Sequence, residues 1–216
     1  MAIPREIEEE GVTGEFTVES YDKLMRKLMK KGYLDTSAIF KTGIKNGTAL
    51  EIGTGRGYLG IDWLTKTKDT FLTAVDISQD MIRVAQRNAN EFKVQDRVKY
   101  IFGDAKLMPF DNETFDAVFS NGSLHEWADP VLVLNEVSRI LKKDGLFCIT
   151  DLRRDISLFA RVLLQMAIPK ERKKGFLSSL KASYTQEEIQ NILTKSNLIN
   201  VNVNKGLWTI ELTGKK

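Results

Sequence analysis

The run Thr48–Ile52 is apolar but for its threonine and a single acid, Glu51, and it stops at three glycines on alternate positions, Gly53, Gly55 and Gly57. Apolar residues then resume at Leu59, Ile61 and Leu64 with helical spacing, so the stretch reads as strand, tight turn, helix. Three alternating glycines give up backbone entropy that a plain turn keeps. In return they allow φ > 0 and let a ligand approach the bare backbone. The amides at the start of the next helix face whatever sits in the turn. The competing reading is a turn that packs a helix onto a strand and binds nothing.

Two registers of this loop carry different chemistry. Gly55-x-Gly57-x-x-Gly60 matches the dinucleotide fingerprint, a weak signal alone. Glu51-x-Gly53-x-Gly55-x-Gly57 places an acid ahead of the alternating glycines. The remaining chain decides between them.

At 216 residues the chain suits one sizeable core and a single domain. A net charge of +3 is too small to imply a nucleic-acid partner. One cysteine, Cys148, cannot make an internal disulfide and fits a reducing compartment. With His125 the only histidine, a zinc site is not expected, and no metal is predicted. No apolar run is long enough to span a membrane, and Met1 to Glu10 is too acidic for a signal peptide. The expected location is the cytoplasm.

A strand–helix alternation follows the loop, as in a parallel sheet. After an irregular lead, Glu19 to Lys31 has helical spacing, and a second short helix is predicted over Ser37 to Ile44. Strands are predicted at 48–52, Phe71 to Val75, Val98 to Phe102, Phe115 to Phe119 and Leu146 to Thr150. Ser78 and Asp129-Pro130 read as helix starts. Ile156 to Ile168 reads as a helix, Lys170 to Ser183 as basic and mixed, and Thr185-x-x-Glu188 as a capping box. Two last strands, Ile199 to Val203 and Leu207 to Leu212, are joined by so short a turn that they form an antiparallel hairpin.

Ligands of open α/β sheets bind beyond the carboxyl ends of the strands. Polar residues stand at four such ends: Glu51 and the glycines, Asp76, Gly103-Asp104-Ala105, and Ser120-Asn121-Gly122. Asp76 is at a spacing from the loop that suits an acid accepting from ribose hydroxyls. A nicotinamide dinucleotide uses the first two ends and leaves the others idle.

The acidic glycine loop, Val75-Asp76-Ile77-Ser78, Gly103-Asp104-Ala105, Pro109-Phe110 and Phe115-Asp116-Ala117-Val118 together resemble the successive motifs of class I S-adenosylmethionine-dependent methyltransferases. The likeness spans roughly 45–152. It implies an α/β, Rossmann-like, doubly wound and mostly parallel seven-stranded sheet with an antiparallel C-terminal hairpin strand. Within a single methyltransferase domain over 1–216, it implies an N-terminal helical cap (1–46), a cofactor-binding core (47–152), a helical insertion near the substrate (153–184), and a last helix with the hairpin (185–216).

The same resemblance implies S-adenosylmethionine as cofactor, with S-adenosylhomocysteine as product. Glu51, Gly53, Thr54, Gly55 and Gly57 would meet its methionine portion and Asp76 its ribose. Ile77 and Met81 would flank the adenine, Asp104 would accept from the adenine amino group with Ala105 beside it, Asn121 would lie beneath the methionyl end, and Gly103 and Gly122 are further cofactor-binding candidates. Each acid could instead only cap the turn after it.

Ser123-Leu-His-Glu-Trp-Ala-Asp-Pro130 resembles the Leu-His and Asp-Pro pattern of quinone-biosynthesis C-methyltransferases and their small-molecule relatives. His125 is the catalytic candidate, as a general base or as an orienter of the cofactor. Tyr21, Tyr33, Trp127, Arg153 and Arg154 are candidates for the substrate pocket, with Phe40 beside them. The two arginines could clamp an anionic substrate or form salt bridges to acids such as Asp155. The run Lys170-Glu-Arg-Lys-Lys174 reads as a solvated face. The expected activity is methyl transfer to a small molecule. RNA methylation, a nicotinamide-dependent oxidoreductase and a non-catalytic cofactor-binding protein remain as rivals. The Asn-Pro-Pro-Tyr type of motif is absent after strand four, which makes nucleic acid an unexpected acceptor. Oligomeric state is not legible.

Overall fold

The computed structural model describes residues 4–7, 36–168 and 173–216. The expected helix over Glu19 to Lys31, the tyrosines Tyr21 and Tyr33, and residues 170–172 of the basic run lie outside them. Five strands, β1 (Thr48–Ile52), β2 (Phe71–Asp76), β3 (Val98–Phe102), β4 (Phe115–Asn121) and β5 (Leu141–Leu152), pair in parallel. β6 (Val201–Lys205) and β7 (Thr209–Lys215) close one edge, giving the order β3-β2-β1-β4-β5-β7-β6. β7 runs antiparallel to both its neighbours. The chain order reverses between β1 and β4, where ligands of such sheets gather.

The helices are α1 (Ser37–Lys41), α2 (Tyr58–Lys66), α3 (Gln79–Glu91), α4 (Pro130–Ile140), α5 (Leu158–Ala167), α6 (Lys173–Ala182) and α7 (Gln186–Leu193). Successive strand residues point to opposite faces, and the core follows that rule. Leu50, Ile52, Val118, Phe147 and Ile149 join one buried cluster with α4 and α7. Ala49, Ala117, Phe119 and Cys148 join the other with α2, whose Trp63 ring lies 5.7 Å from that of Phe119.

Several boundaries move from their expected places. α1 ends at Lys41 rather than near Ile44, because Gly43 turns left-handed (φ 92°). There the Gly43 and Ile44 amides donate to the carbonyls of Phe40 and Ile39, a Schellman stop. β5 begins five residues early, at Leu141, through the polar Lys142-Lys143-Asp144. Lys142 reaches Asp116 at 2.8 Å, and the Asp144 amide donates to the Lys216 carbonyl at 2.9 Å. These ties hold an irregular stretch in the sheet that its composition marks as a turn. The basic segment before Ser183 contains a helix, α6, anchored by buried Leu180 and Ala182. The hairpin strands shift toward the C-terminus, and the turn Gly206–Trp208 closes on a bond from the Gly206 amide to the Thr209 carbonyl. Among the described residues no helix is long and apolar enough to cross a membrane.

Candidate active site

The carboxyl ends of β1, β2 and β4 meet around the glycine loop. The Gly53 amide donates to the Val75 carbonyl at 2.9 Å, the Gly57 amide to the Thr54 carbonyl at 2.9 Å, and the Ile61 amide to the Gly57 carbonyl at 2.9 Å. The loop is thereby fixed between β2 and the first turn of α2. Gly55 sits at φ 51° and Gly122, across the strand ends, at φ 69°. A Cβ built on either meets no atom within 4 Å. Both therefore border open space, as a face that receives a ligand must. Gly53 and Gly57 differ, for a Cβ there would strike Ser123 and Tyr100 respectively.

Asp76 latches this loop. One carboxylate oxygen accepts from the Gly55 amide at 2.7 Å and the other from the Ser78 amide at 2.8 Å. Burial raises its pKa, while the amides of Ser78 and Gly55 pull the other way. Each oxygen keeps a second lone pair, so the latch and a ribose contact are compatible.

Glu51 and Thr54, both expected at the cofactor's methionine portion, turn their side chains toward each other. Glu51 is buried, and its Oε2 accepts from Thr54 Oγ1 at 2.8 Å beneath the loop. Gly60 packs so closely over this carboxyl that a Cβ there would collide with it. Desolvation pushes the Glu51 pKa up to about 8, with Asp76 adding to the rise against the Thr54 and Gly60 hydrogen bonds. Glu51 is therefore a neutral acid supporting the loop from below at neutral pH. Tyr100, whose hydroxyl is buried without a hydrogen-bond partner, stands nearby and is pushed up by burial and by Glu51.

At the β3 end, Asp104 Oδ1 accepts from the Lys106 amide at 2.8 Å and Oδ2 lies 3.4 Å from Lys106 Nζ. The turn-capping role is thus present, and the half-exposed carboxylate still faces solvent. Of the pair expected to flank the adenine, Ile77 is exposed and Met81 is buried against Val84. Sequence reasoning missed two exposed apolar neighbours, Phe102, which pairs with Asp76 in the sheet, and Leu107. Large apolar residues flanking the Gly-Asp-Ala turn were the available signal. Asn121 Oδ1 accepts from Thr150 Oγ1 at 2.7 Å, and the Gly122 amide donates to the Thr150 carbonyl at 2.8 Å. Ser120 Oγ donates to the Ile52 carbonyl at 2.8 Å and pairs with Ser123 Oγ at 2.7 Å, tying the ends of β4 and β1 together.

His125 lies on a short 3-10 turn after β4 and is buried against Asp151 of β5. Its Nδ1 is 2.9 Å from both carboxylate oxygens, and its amide donates to Oδ2 at 2.8 Å. Asp151 is itself buried and also accepts from the Leu152 amide. Nε2 lies 4.0 Å from Glu126. Arg5 donates to the His125 carbonyl at 3.3 Å and to that of Ala182 at 2.7 Å, its guanidinium 4.1 Å from the Tyr184 ring centre.

The remaining pocket candidates fare differently. Trp127 belongs to the larger core cluster, so its ring is taken up by packing. Arg154 is buried, with its guanidinium on Glu188 at 2.6 and 3.0 Å and on the Ser183 carbonyl. Arg153 binds Asp155 at 2.7 Å and the Gly206 carbonyl at 3.1 Å. Both arginines hold the fold together, and an anionic substrate would have to displace an internal partner. Among the described residues no group of three His, Cys, Asp or Glu could hold a metal.

Known proteins resemble this chain in sequence and in fold. A family model described as a methyltransferase domain matches residues 44–202. The demethylmenaquinone methyltransferase of Chlamydia muridarum is 25% identical over 197 residues, covering 88% of this chain and 84% of that protein. The biotin biosynthesis bifunctional protein BioHC of Teredinibacter turnerae is 27% identical over 188 residues, and the match covers 82% of this chain but only 33% of that protein. The crystal structure of an S-adenosylmethionine-dependent methyltransferase from Aquifex aeolicus superposes with a TM-score of 0.68 at 20% identity, covering 94% of this chain and 99% of that one. With one methyltransferase model spanning well over half of its length, this chain belongs to the class I S-adenosylmethionine-dependent methyltransferases.

Proposed function

We propose that the protein transfers the methyl group of S-adenosylmethionine to a small-molecule acceptor and releases S-adenosylhomocysteine. The observation that carries this reading is the open face over Gly55 and Gly122, bordered by Asp76 on one side and by β4 and β5 on the other. The residues fit the cofactor: backbone without Cβ where it must approach closely, a carboxylate with free lone pairs, and exposed Ile77, Phe102 and Leu107 for a flat ring. When bound, the cofactor supplies a methyl group on a sulfonium, which is already a good leaving group. The protein's part is mainly to hold the acceptor in line and to exclude water.

A protonated acceptor must also lose a proton, and in this reading His125 takes it. With Nδ1 held on Asp151, the basic nitrogen of the neutral ring is Nε2, and the carboxylate stabilises the imidazolium once formed. The demethylmenaquinone methyltransferase likeness supports a small organic acceptor.

Calorimetric titration with S-adenosylhomocysteine tests the cofactor site. Asp76→Ala and Asp104→Ala each weaken binding about tenfold or more, whereas His125→Ala leaves affinity within about threefold and abolishes methyl transfer to the acceptor found by metabolite screening. Equal binding by wild type and both aspartate variants sinks the assigned pose. An active His125→Ala enzyme removes the base.

A further inference from the structure

α5 turns its apolar residues outward. Leu158, Phe159, Val162, Leu163 and Met166 are 76, 73, 46, 43 and 77% exposed, and at this spacing they form one stripe along the helix. Of the side chains described on this helix only Ala160 is buried. Scattered exposed leucines are ordinary, but a contiguous stripe marks a surface that meets something apolar.

A second exposed apolar group lies against the segment that leads into this helix. Leu207 and Trp208, in the β6–β7 turn, are 60 and 40% exposed. The Arg153 amide donates to the Trp208 carbonyl at 3.0 Å and the Arg153 guanidinium to the Gly206 carbonyl. The turn therefore lies against the residues that lead into α5.

Basic residues outnumber acids along this part of the chain. The described residues between Asp155 and Gln186 include Arg161, Lys173, Lys174 and Lys181, the last of them paired with Glu6 at 2.9 Å, and the sequence of this stretch holds the single acid Glu171. Lys173 is six residues beyond Ala167, so it lies within about 22 Å of the end of the helix whatever path the chain takes. The nearest preceding acid, Asp155, is already paired with Arg153 and Lys205. Two copies meeting through α5 would set these cations against each other.

We propose that α5 and the Leu207–Trp208 turn form a docking surface for an anionic lipid bilayer. The apolar stripe enters the boundary of headgroups and acyl chains, Trp208 sits at headgroup depth, and Arg161, Lys173 and Lys174 meet the lipid phosphates. α5 follows the carboxyl end of β5, so docking brings that edge of the sheet to the membrane. The proposal does not depend on the methyl-transfer reading, because vesicle binding requires no turnover.

Co-sedimentation of the full chain with lipid vesicles tests it, using phosphatidylcholine alone and phosphatidylcholine mixed with phosphatidylglycerol. Wild type binds the mixed vesicles and not the neutral ones, and salt weakens the binding. The double variants Phe159→Glu with Met166→Glu, and Lys173→Glu with Lys174→Glu, each lose about tenfold or more in affinity. Their circular dichroism and S-adenosylhomocysteine affinity stay at wild-type values, since these side chains are not part of the core. Quenching of Trp208 emission by brominated lipid accompanies binding. The proposal is overturned if wild type ignores anionic vesicles, if it binds neutral vesicles equally well, or if the charge and apolar variants bind as wild type does. It is also overturned if wild type sediments as a dimer that Phe159→Glu with Met166→Glu splits, which would make the face a self-association surface.

Discussion

Glu51 shows how one buried group can set a pH dependence. Its pKa is raised from an ordinary 4.5 to about 8, so between those values the folded chain holds a proton that the unfolded chain has released. Stability then falls as pH rises from about 4.5 to about 8. The full shift corresponds to at most about 5 kcal/mol. Glu51→Gln keeps an acceptor for Thr54 and removes the titration. In urea denaturation at pH 5.5 and 8, wild type therefore loses stability relative to the variant by a few kcal/mol; a gap that does not change with pH would refute the neutral-acid assignment. Gly55 makes a complementary case. Gly55→Ala meets no neighbour, so its cost to stability is only the left-handed backbone, roughly 1–2 kcal/mol. Its cost to S-adenosylhomocysteine affinity is larger, about tenfold or more, because the new methyl group stands where the ligand approaches. Unchanged affinity would mean that the cofactor does not pass over Gly55.

Between elements, the Arg154–Glu188 pair joins the end of β5 to the capping box of α7. Thr185 and Glu188 cap each other reciprocally, and Glu188 also receives the buried guanidinium. Although desolvation pushes the other way, the bonds from Arg154 and Thr185 hold the Glu188 carboxyl below its usual range. Arg154→Met leaves the Ser183 carbonyl without that donor and costs about 2 kcal/mol, less than a fully buried pair because Glu188 is 38% exposed. A depressed carboxylate contributes its stability above its unfolded pKa and loses it as pH falls, so the difference from wild type narrows in acid. Thermal melts at pH 7 and pH 3.5 check both statements. If instead Arg154→Met melts as wild type and only raises the KM for an anionic acceptor, the arginine serves substrate after all.

At the scale of the whole molecule, what the sequence disclosed was whatever depends on neighbours along the chain. The glycine loop, the strand-end acids, the Ser78 and Asp129 caps and the Thr185–Glu188 box are local patterns, and the structure contains each. The partnership of His125 with Asp151 spans 26 residues and exists only because β4 and β5 are adjacent. No period or spacing announces it. The partners of Trp127 and Arg154 are hidden for the same reason: an aromatic and a cation near a strand end look available until tertiary packing assigns them neighbours. The early start of β5 was hidden because Lys142-Lys143-Asp144 has the composition of a turn, and only pairing across the sheet overrides that preference.

The strand order carries a consequence for how the molecule is made. β7 is synthesised after every other strand, yet it lies between β5 and β6. Until it emerges from the ribosome, β6 has nothing to pair with and β5 presents an open edge rich in Phe147, Cys148 and Ile149. The half-built sheet is then a template for any passing strand. Nascent chains stalled before Thr209 should therefore be the species that chaperones hold.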